Sequence, residues 1–599
     1  MSILKMKPQS LGLIVITLTL LAACVSQKES NTGETVQTEY DKDGISDSST
    51  EPVPNQFFVP EVAEEAPALY DMEDMSRVMP QKSRMKRAVA PTSMVGNVSG
   101  QVHNLPVYPG DPKQIPHNTE EYKRIYENGY VSPKVEPLST FSIDVDVAAY
   151  ANMRRFLNQS QMPYPDAVRI EEMVNYFSYD YEAPTGDDPF SIYTELSDCP
   201  WNTAHQLLHI GLQGKEIEAE DLPNSNLVFL LDVSGSMDSP SKLPLLKSAF
   251  RLLVNELKPE DRVAIVVYAG AAGMVLPSTS ASEKTQILEA IEKLNAGGST
   301  AGGEGIELAY QVAKEHFIKE GNNRVILATD GDFNVGPSSE GALVRMIEEK
   351  RKQGIFLSVL GFGTGNYKDS KMEMLADKGN GNYAYIDNIL EAKKVLVSEM
   401  GGTLYTIAKD VKLQLEFNPQ FVKGYRLIGY ENRRLAAQDF NDDTKDAGEL
   451  GSGHTVTALY EIVPPNAKTE IASVDELKYQ QPAKEDNSPS EGELLTVKFR
   501  YKQPDGDKSK LIEHPVANNA RKFDKTTEDF RFSLAVASFG MLLRDSEFKG
   551  DATYDAVISW AKGSKGKDAE GYRAECIRLM EKAKLLDSRG GMDQIEAKK

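Results

Sequence analysis

In 227-LVFLLDVSGSM-237 five apolar residues run into an aspartate and then into two serines. Asp232, Ser234 and Ser236 offer hard oxygen donors, with no histidine or cysteine beside them. Two later segments carry the same donor type: 297-GGSTAGG-303 with Thr300, and 328-ATDGDFN-334 with Asp330. Hydroxyls joined to a pair of carboxylates suit Mg2+ or Mn2+, ions that favour octahedral oxygen coordination, keep several waters and are seldom caged by protein alone. With few carboxylates bound directly, such an ion keeps net positive charge and an open position. A carboxylate from a partner protein could fill it.

Other chemistries fit these residues less well. A serine nucleophile needs a neighbouring base and an exposed elbow such as GxSxG, which is not found at Ser234 or Ser236. The seven histidines are scattered; His205 and His209 precede this region and read as surface or packing residues. The glycines of 297-GGSTAGGEG-305 are not followed by GK[ST], so no phosphate-binding loop is read there; they permit a tight turn that exposes Thr300. The segment 41-DKDGISDSS-49 begins like a calcium loop, but Pro52 stands where the closing glutamate belongs. The three cysteines contain no CxxC pair, and whether Cys199 and Cys576 pair is undetermined. The expected function is therefore non-enzymatic.

The elements that must position these donors follow from the pattern. Apolar runs 227-LVFLL-231, 263-VAIVVY-268, 325-VILA-328, 355-IFLSVL-360 and 383-YAYI-386 are continuous, as strands covered on both faces are. Amphipathic stretches lie between and after them. The first places Leu246, Phe250, Leu253 and Leu257 on one face, with Ser241 as N-cap and Pro244 in the first turn. Further helices are predicted over Ser282–Leu294, Gly303–His316, Ser338–Gln353, Lys368–Lys378 and Asn388–Met400. This alternation implies an α/β fold, a doubly wound and mainly parallel sheet from 225 to 402, whose ligands bind beyond the carboxyl ends of the strands. Asp232, Ser234 and Ser236 stand at such an end, in a loop made tight by Gly235.

The pattern resembles the metal-ion-dependent adhesion site of von Willebrand factor type A domains: DxSxS, then a threonine, then an aspartate, each in the expected loop. The resemblance implies that Ser234, Ser236 and Thr300 supply hydroxyls to the metal. It also implies that Asp232 and Asp330 act directly or through water, and that an acidic residue of a ligand completes the shell. The segments 137-PLSTFSIDVDVAAYANMRRFLN-158 and 424-GYRLIGYENRRLAAQDFNDDTKDAGELGSGHTVTALYEIVP-464 resemble the flanks of bacterial type A domain lipoproteins, which have no established chemistry.

At 599 residues the chain is too long for one core, and two to four domains are expected. Residues 105–224 read as an N-terminal extension with helices over Val147–Asn158 and Asp166–Phe177 and strands in 190-FSIYTEL-196 and 207-LLHIGL-212. Residues 403–525 alternate apolar and polar in 411-VKLQLEF-417 and 455-TVTALYEIV-463. With 425-YRLIGY-430 and 494-LLTVKFRY-501 they read as an antiparallel β-sandwich. The strands before 225 lack partners of their own and are expected to join this sandwich, making the α/β domain an insertion. Residues 526–599 are helical by pattern.

Lys5 and Lys7 precede an apolar run, Leu11–Ala23, that is too short to cross a bilayer and closes on small residues, as a signal peptide over 1–23 would. Its end, 21-LAAC-24, resembles a bacterial lipobox, which implies a lipidated Cys24 as first mature residue and several acyl chains in a membrane. Residues 24–104 then read as a disordered tether with a reach of roughly 50 Å; within it 82-KSRMKR-87 is solvated linker. Val25 after the cysteine is permissive for an outer membrane, which leaves the side open. A net charge of −22 argues against a nucleic-acid partner. Two functions remain: an envelope-anchored module that captures a protein carboxylate through the metal, and a scaffold or assembly factor for an envelope complex that does not depend on it.

Overall fold

The structure is a computed structural model. It describes residues 119–596 apart from 144–145, 219, 299–301, 332, 334–339 and 472–491, with backbone alone for 588–596. The expected signal peptide, lipidated Cys24 and tether lie outside the described residues, as does Thr300.

The chain enters through β1 (Leu138–Ser142), α1 (Ala148–Asn158), α2 (Ile170–Asn175), β2 (Phe190–Asp198) and β3 (Gln206–Gly214). The helix expected over Asp166–Phe177 is interrupted. A 3-10 turn at Pro165–Ala167 gives way to extended backbone at Val168 and Arg169, and α2 begins only at Ile170. The break frees the Val168 carbonyl for Arg544 and turns the Arg169 guanidinium inward onto Glu172, Asp369 and Glu373.

The α/β part follows as β4 (Ser225–Asp232), α3 (Leu243–Glu256), β5 (Arg262–Tyr268), β6 (Ala272–Ser280), α4 (Lys284–Glu292), α5 (Gly302–Glu315) and β7 (Asn322–Thr329). It continues with α6 (Glu340–Lys352), β8 (Ile355–Phe362), α7 (Asp369–Lys378), β9 (Tyr383–Ile386), α8 (Ile389–Lys393) and α9 (Met400–Leu404). Its six-stranded sheet has the order β6-β5-β4-β7-β8-β9, parallel except for β6. Every residue of β4 and β7 is buried, because helices cover both faces. The antiparallel edge strand β6 escapes the apolar pattern: Met274 and Val275 are exposed and Pro277 sits within it, as an edge tolerates. The helix expected over Asn388–Met400 also differs. A π-helical turn at Lys394–Ser398 separates α8 from α9, with the Lys394 ammonium 4.3 Å from the centre of the Tyr176 ring.

The remainder comprises β10 (Thr406–Phe417), β11 (Gly424–Ile428), β12 (Gly448–Gly451), β13 (Thr455–Val463), β14 (Glu493–Lys502) and β15 (Lys510–Ala517), then α10 (Glu528–Arg544), α11 (Tyr554–Gly563) and α12 (Tyr572–Glu596). Two antiparallel sheets form. One runs β1-β10-β14-β15 with β12 beside β10, the other β11-β13-β3-β2. β1 pairs with β10, and β3 pairs with β13 through Leu208↔Tyr460 and Ile210↔Ala458, so the α/β domain is inserted in the sandwich. Phe141, Ile210, Leu413, Leu415, Tyr460 and Phe499 share its core. β13 is buried throughout despite its alternation, since α2 packs on the outer face of its sheet. The polar residues there are bonded: the Thr457 N–H donates to Asn175, and Glu461 accepts from Arg426 at 2.8 Å and meets His205 at 2.6 Å. His205 and His209 are therefore buried packing residues of the sandwich sheet, remote in role from the strand-mouth serines. Cys199 and Cys576 are both buried and free.

Candidate metal site

β4 lies between β5 and β7 at the centre of the sheet and delivers Asp232 at its carboxyl end. The Asp232 side chain is fully buried. Its Oδ1 accepts from the Ser234 N–H at 2.9 Å and its Oδ2 from the Thr329 hydroxyl at 3.3 Å. Ser234 opens a 3-10 turn over Gly235–Asp238, which brings its hydroxyl within 3.0 Å of the Ser236 hydroxyl. Ser234 is buried and Ser236 exposed, so the donors run from a carboxylate floor to a hydroxyl rim.

Asp330 follows the last residue of β7 and is likewise fully buried. Its Oδ2 accepts from the Lys242 ammonium at 2.8 Å, and the same ammonium donates to Asn366 Oδ1 at 3.2 Å. The two carboxylates differ in character. Burial pushes the Asp232 carboxyl up to about 6, with the Asp330 charge adding to the rise against hydrogen bonds from Ser234 and Thr329. For Asp330 burial alone would do the same, but Lys242 and Asn366 hold it below the usual carboxylate range.

The third loop is bolted to the first by its backbone. Gly297 N–H donates to the Val233 carbonyl at 2.8 Å, and Gly235 N–H donates to the Gly298 carbonyl at 3.1 Å. Gly298 has φ +84°, and a Cβ there would meet the Gly270 nitrogen at 3.0 Å, so this approach requires glycine. The structure thus brings together Asp232, Ser234, Ser236 and Asp330 and holds the chain against them to within two residues of Thr300.

Three participants were not legible by type and spacing: Thr329, Lys242 and Asn366. Thr329 ends a buried strand and reads as strand filler. Ser241, expected as N-cap of α3, instead meets the Ser239 hydroxyl at 3.3 Å, and Lys242 takes the cap position without a side-chain cap bond. A lysine ahead of an amphipathic helix reads as a solvated charge; only the fold reveals that it turns inward.

The donor set fits a hard divalent cation. Among the described residues no three His, Cys, Asp or Glu side chains group as metal ligands, so a cation here would rest on hydroxyls and two carboxylates. The Lys242 ammonium already stands on one of those carboxylates as an internal cation.

Comparison with known proteins agrees with the geometry. The family model for the von Willebrand factor type A domain matches residues 226–396, from β4 into the π-helical turn. A model described as von Willebrand factor matches 116–209, and one described as "Uncharacterized protein YfbK, C-terminal" matches 402–586. The Escherichia coli K12 protein YfbK is 46% identical over 472 residues, 78% of this chain and 81% of that protein. The chain belongs to the YfbK family of type A domain proteins. A second relative, the uncharacterized Synechocystis protein sll0103, is 30% identical over 247 residues, 40% of this chain and 56% of its own length. Among solved structures, a von Willebrand factor type A protein from Catenulispora acidiphila is 16% identical, covering 65% of this chain and 89% of its own with a TM-score of 0.35. The type A domain suggests protein–protein interaction or adhesion, and domains of this family typically bind a divalent metal.

Proposed function

We propose that the chain is a non-enzymatic, membrane-anchored binding protein. Its type A domain holds Mg2+ or Mn2+ through Asp232, Ser234, Ser236, Thr300 and Asp330 and uses it to bind an acidic residue of a partner protein. The observation that carries this reading is the pair of fully buried carboxylates, Asp232 and Asp330, beneath the exposed Ser236 hydroxyl. Burying two carboxylates together is unfavourable without positive charge nearby, and the one Lys242 ammonium bonded to Asp330 leaves the pair net negative. When bound, the ion would supply that charge and an open coordination position for a carboxylate.

The chain's own residues supply orientation. The Ser234 N–H and the Thr329 hydroxyl hold one carboxylate rigidly, one oxygen each. The Gly297–Val233 and Gly235–Gly298 bonds hold the two glycines that precede the threonine against the serine loop, which lowers the ordering cost of binding. Cys24 would tie the chain to an envelope membrane by acyl chains, the outer membrane rather than the inner.

The test is capture of envelope proteins by the full chain in Mg2+, repeated in chelator and with Asp232→Ala. Capture lost in both arms supports metal-mediated binding. Capture retained in both favours the alternative, a scaffold or assembly factor that docks independently of the metal. Mass spectrometry of the native N-terminal peptide tests the anchor: a diacylglyceryl mass on Cys24 is expected, and an unmodified thiol contradicts it.

A further inference from the structure

Lys242 is built into the site rather than passing by it. Its residue is only 7% exposed although it stands at the start of a surface helix. Its ammonium donates to Asp330 Oδ2 at 2.8 Å and to Asn366 Oδ1 at 3.2 Å. The aliphatic stem reaches that position across Gly363, just past β8. A Cβ at Gly363 would lie 2.3 Å from Lys242 Cε and 2.4 Å from its Cγ, and Gly363 adopts φ +73°. The backbone of one loop is thus shaped to admit the stem from another.

The carboxylate that receives this ammonium is also a donor in the proposed metal site. Two cations beside one carboxylate repel, and in a partly desolvated pocket the repulsion is far stronger than in water. We propose that Lys242 is a tethered counter-cation that competes with the divalent ion. It neutralises Asp330 in the metal-free chain and raises the metal concentration needed to load the site. Asn366 Oδ1 is the acceptor left to the ammonium once Asp330 is claimed. The lysine therefore sets a threshold: it keeps Asp330 compensated when metal is scarce and leaves the loaded site more positive, which favours an acidic ligand. This inference rests on the metal reading above.

The test compares the full chain with Lys242→Met and Lys242→Arg by calorimetric Mn2+ titration and by thermal melting in chelator and in Mg2+. Lys242→Met is expected to bind Mn2+ at least about tenfold more tightly, because a fixed positive charge beside the site is gone. Lys242→Arg, which keeps the charge in a larger head group, should show no such gain in affinity. In chelator Lys242→Met should melt lower, since it strands a buried carboxylate, and should gain more from Mg2+ than the unmodified chain. Lys242→Gln serves the same comparison if the methionine variant fails to fold. Binding by Lys242→Met that is equal to or weaker than that of the unmodified chain overturns the inference while leaving the metal site standing. Absence of Mn2+ binding in every variant removes the metal reading and this inference with it.

Discussion

The Gly297 N–H donates to the Val233 carbonyl across 2.8 Å, joining the loop that carries Thr300 to the loop that carries Ser234 and Ser236. The turn that follows α4 is thereby tied to the end of β4, two segments distant in sequence. Preorganisation of this kind matters because a weakly caged cation gains little if its ligands must first be ordered.

Gly298 bears that junction, and its replacement tests it. Gly298→Ala places a side chain at φ +84° and 3.0 Å from the Gly270 nitrogen. A stability loss of about 1–2 kcal/mol in urea unfolding is expected, together with weaker metal binding as the threonine loop shifts. An alanine variant with unchanged stability and unchanged metal affinity would show that the junction does not position the site.

Arg169 joins the flanking extension to the type A domain. Its guanidinium is buried against Glu172 at 2.7 Å, Glu373 at 2.9 Å and Asp369, so α2 and α7 share one ionic cluster. Burial opposes its charge, but these carboxylates hold it well above the ordinary guanidinium range. Arg169→Met should cost about 3–5 kcal/mol in chemical denaturation, because it strands buried carboxylates rather than exchanging a whole cluster for apolar groups. A loss below about 1 kcal/mol would mean that water replaces the guanidinium without difficulty.

What could be read without coordinates divides along physical lines. The runs in β4, β5, β7 and β8 are mainly apolar because both faces of a central parallel strand are covered; Asp232 directly follows one such run, and Asp330 follows another after Thr329. β6 needs no such run at the sheet edge, so Met274 and Val275 gave no signal. The polar positions Thr457 and Glu461 of the alternating β13 do not face water, because α2 lies over that sheet and hydrogen bonds satisfy them. Lys242 and Asn366 join the site only through a chance of topology, two loops meeting over Gly363 and Asp330, and no local pattern encodes that meeting.

His209 makes the sandwich sensitive to acid. It is fully buried on β3, with Nε2 3.1 Å from the Tyr181 hydroxyl and its ring 5.5 Å from that of Phe530, and burial lowers its imidazole to about 3. The folded value lies below the unfolded one of 6.5, so the unfolded chain takes up the proton first as pH falls. Its contribution is fully present above pH 6.5 and declines progressively toward pH 3, by up to about 4 kcal/mol. Denaturant unfolding at stepped pH should show this slope, and His209→Gln should flatten it. Identical slopes in the two chains would assign the acid sensitivity elsewhere.

In the proposed function Asp232, Ser234, Ser236, Thr300 and Asp330 hold a divalent cation. Calorimetric titration of the chelator-stripped full chain with Mg2+ and Mn2+, beside Asp232→Ala and Thr300→Ala, tests it most directly. One saturable site is expected in the unmodified chain, lost in Asp232→Ala and weakened at least about tenfold in Thr300→Ala, with circular dichroism unchanged in both. Saturable binding that survives Asp232→Ala undiminished would contradict it.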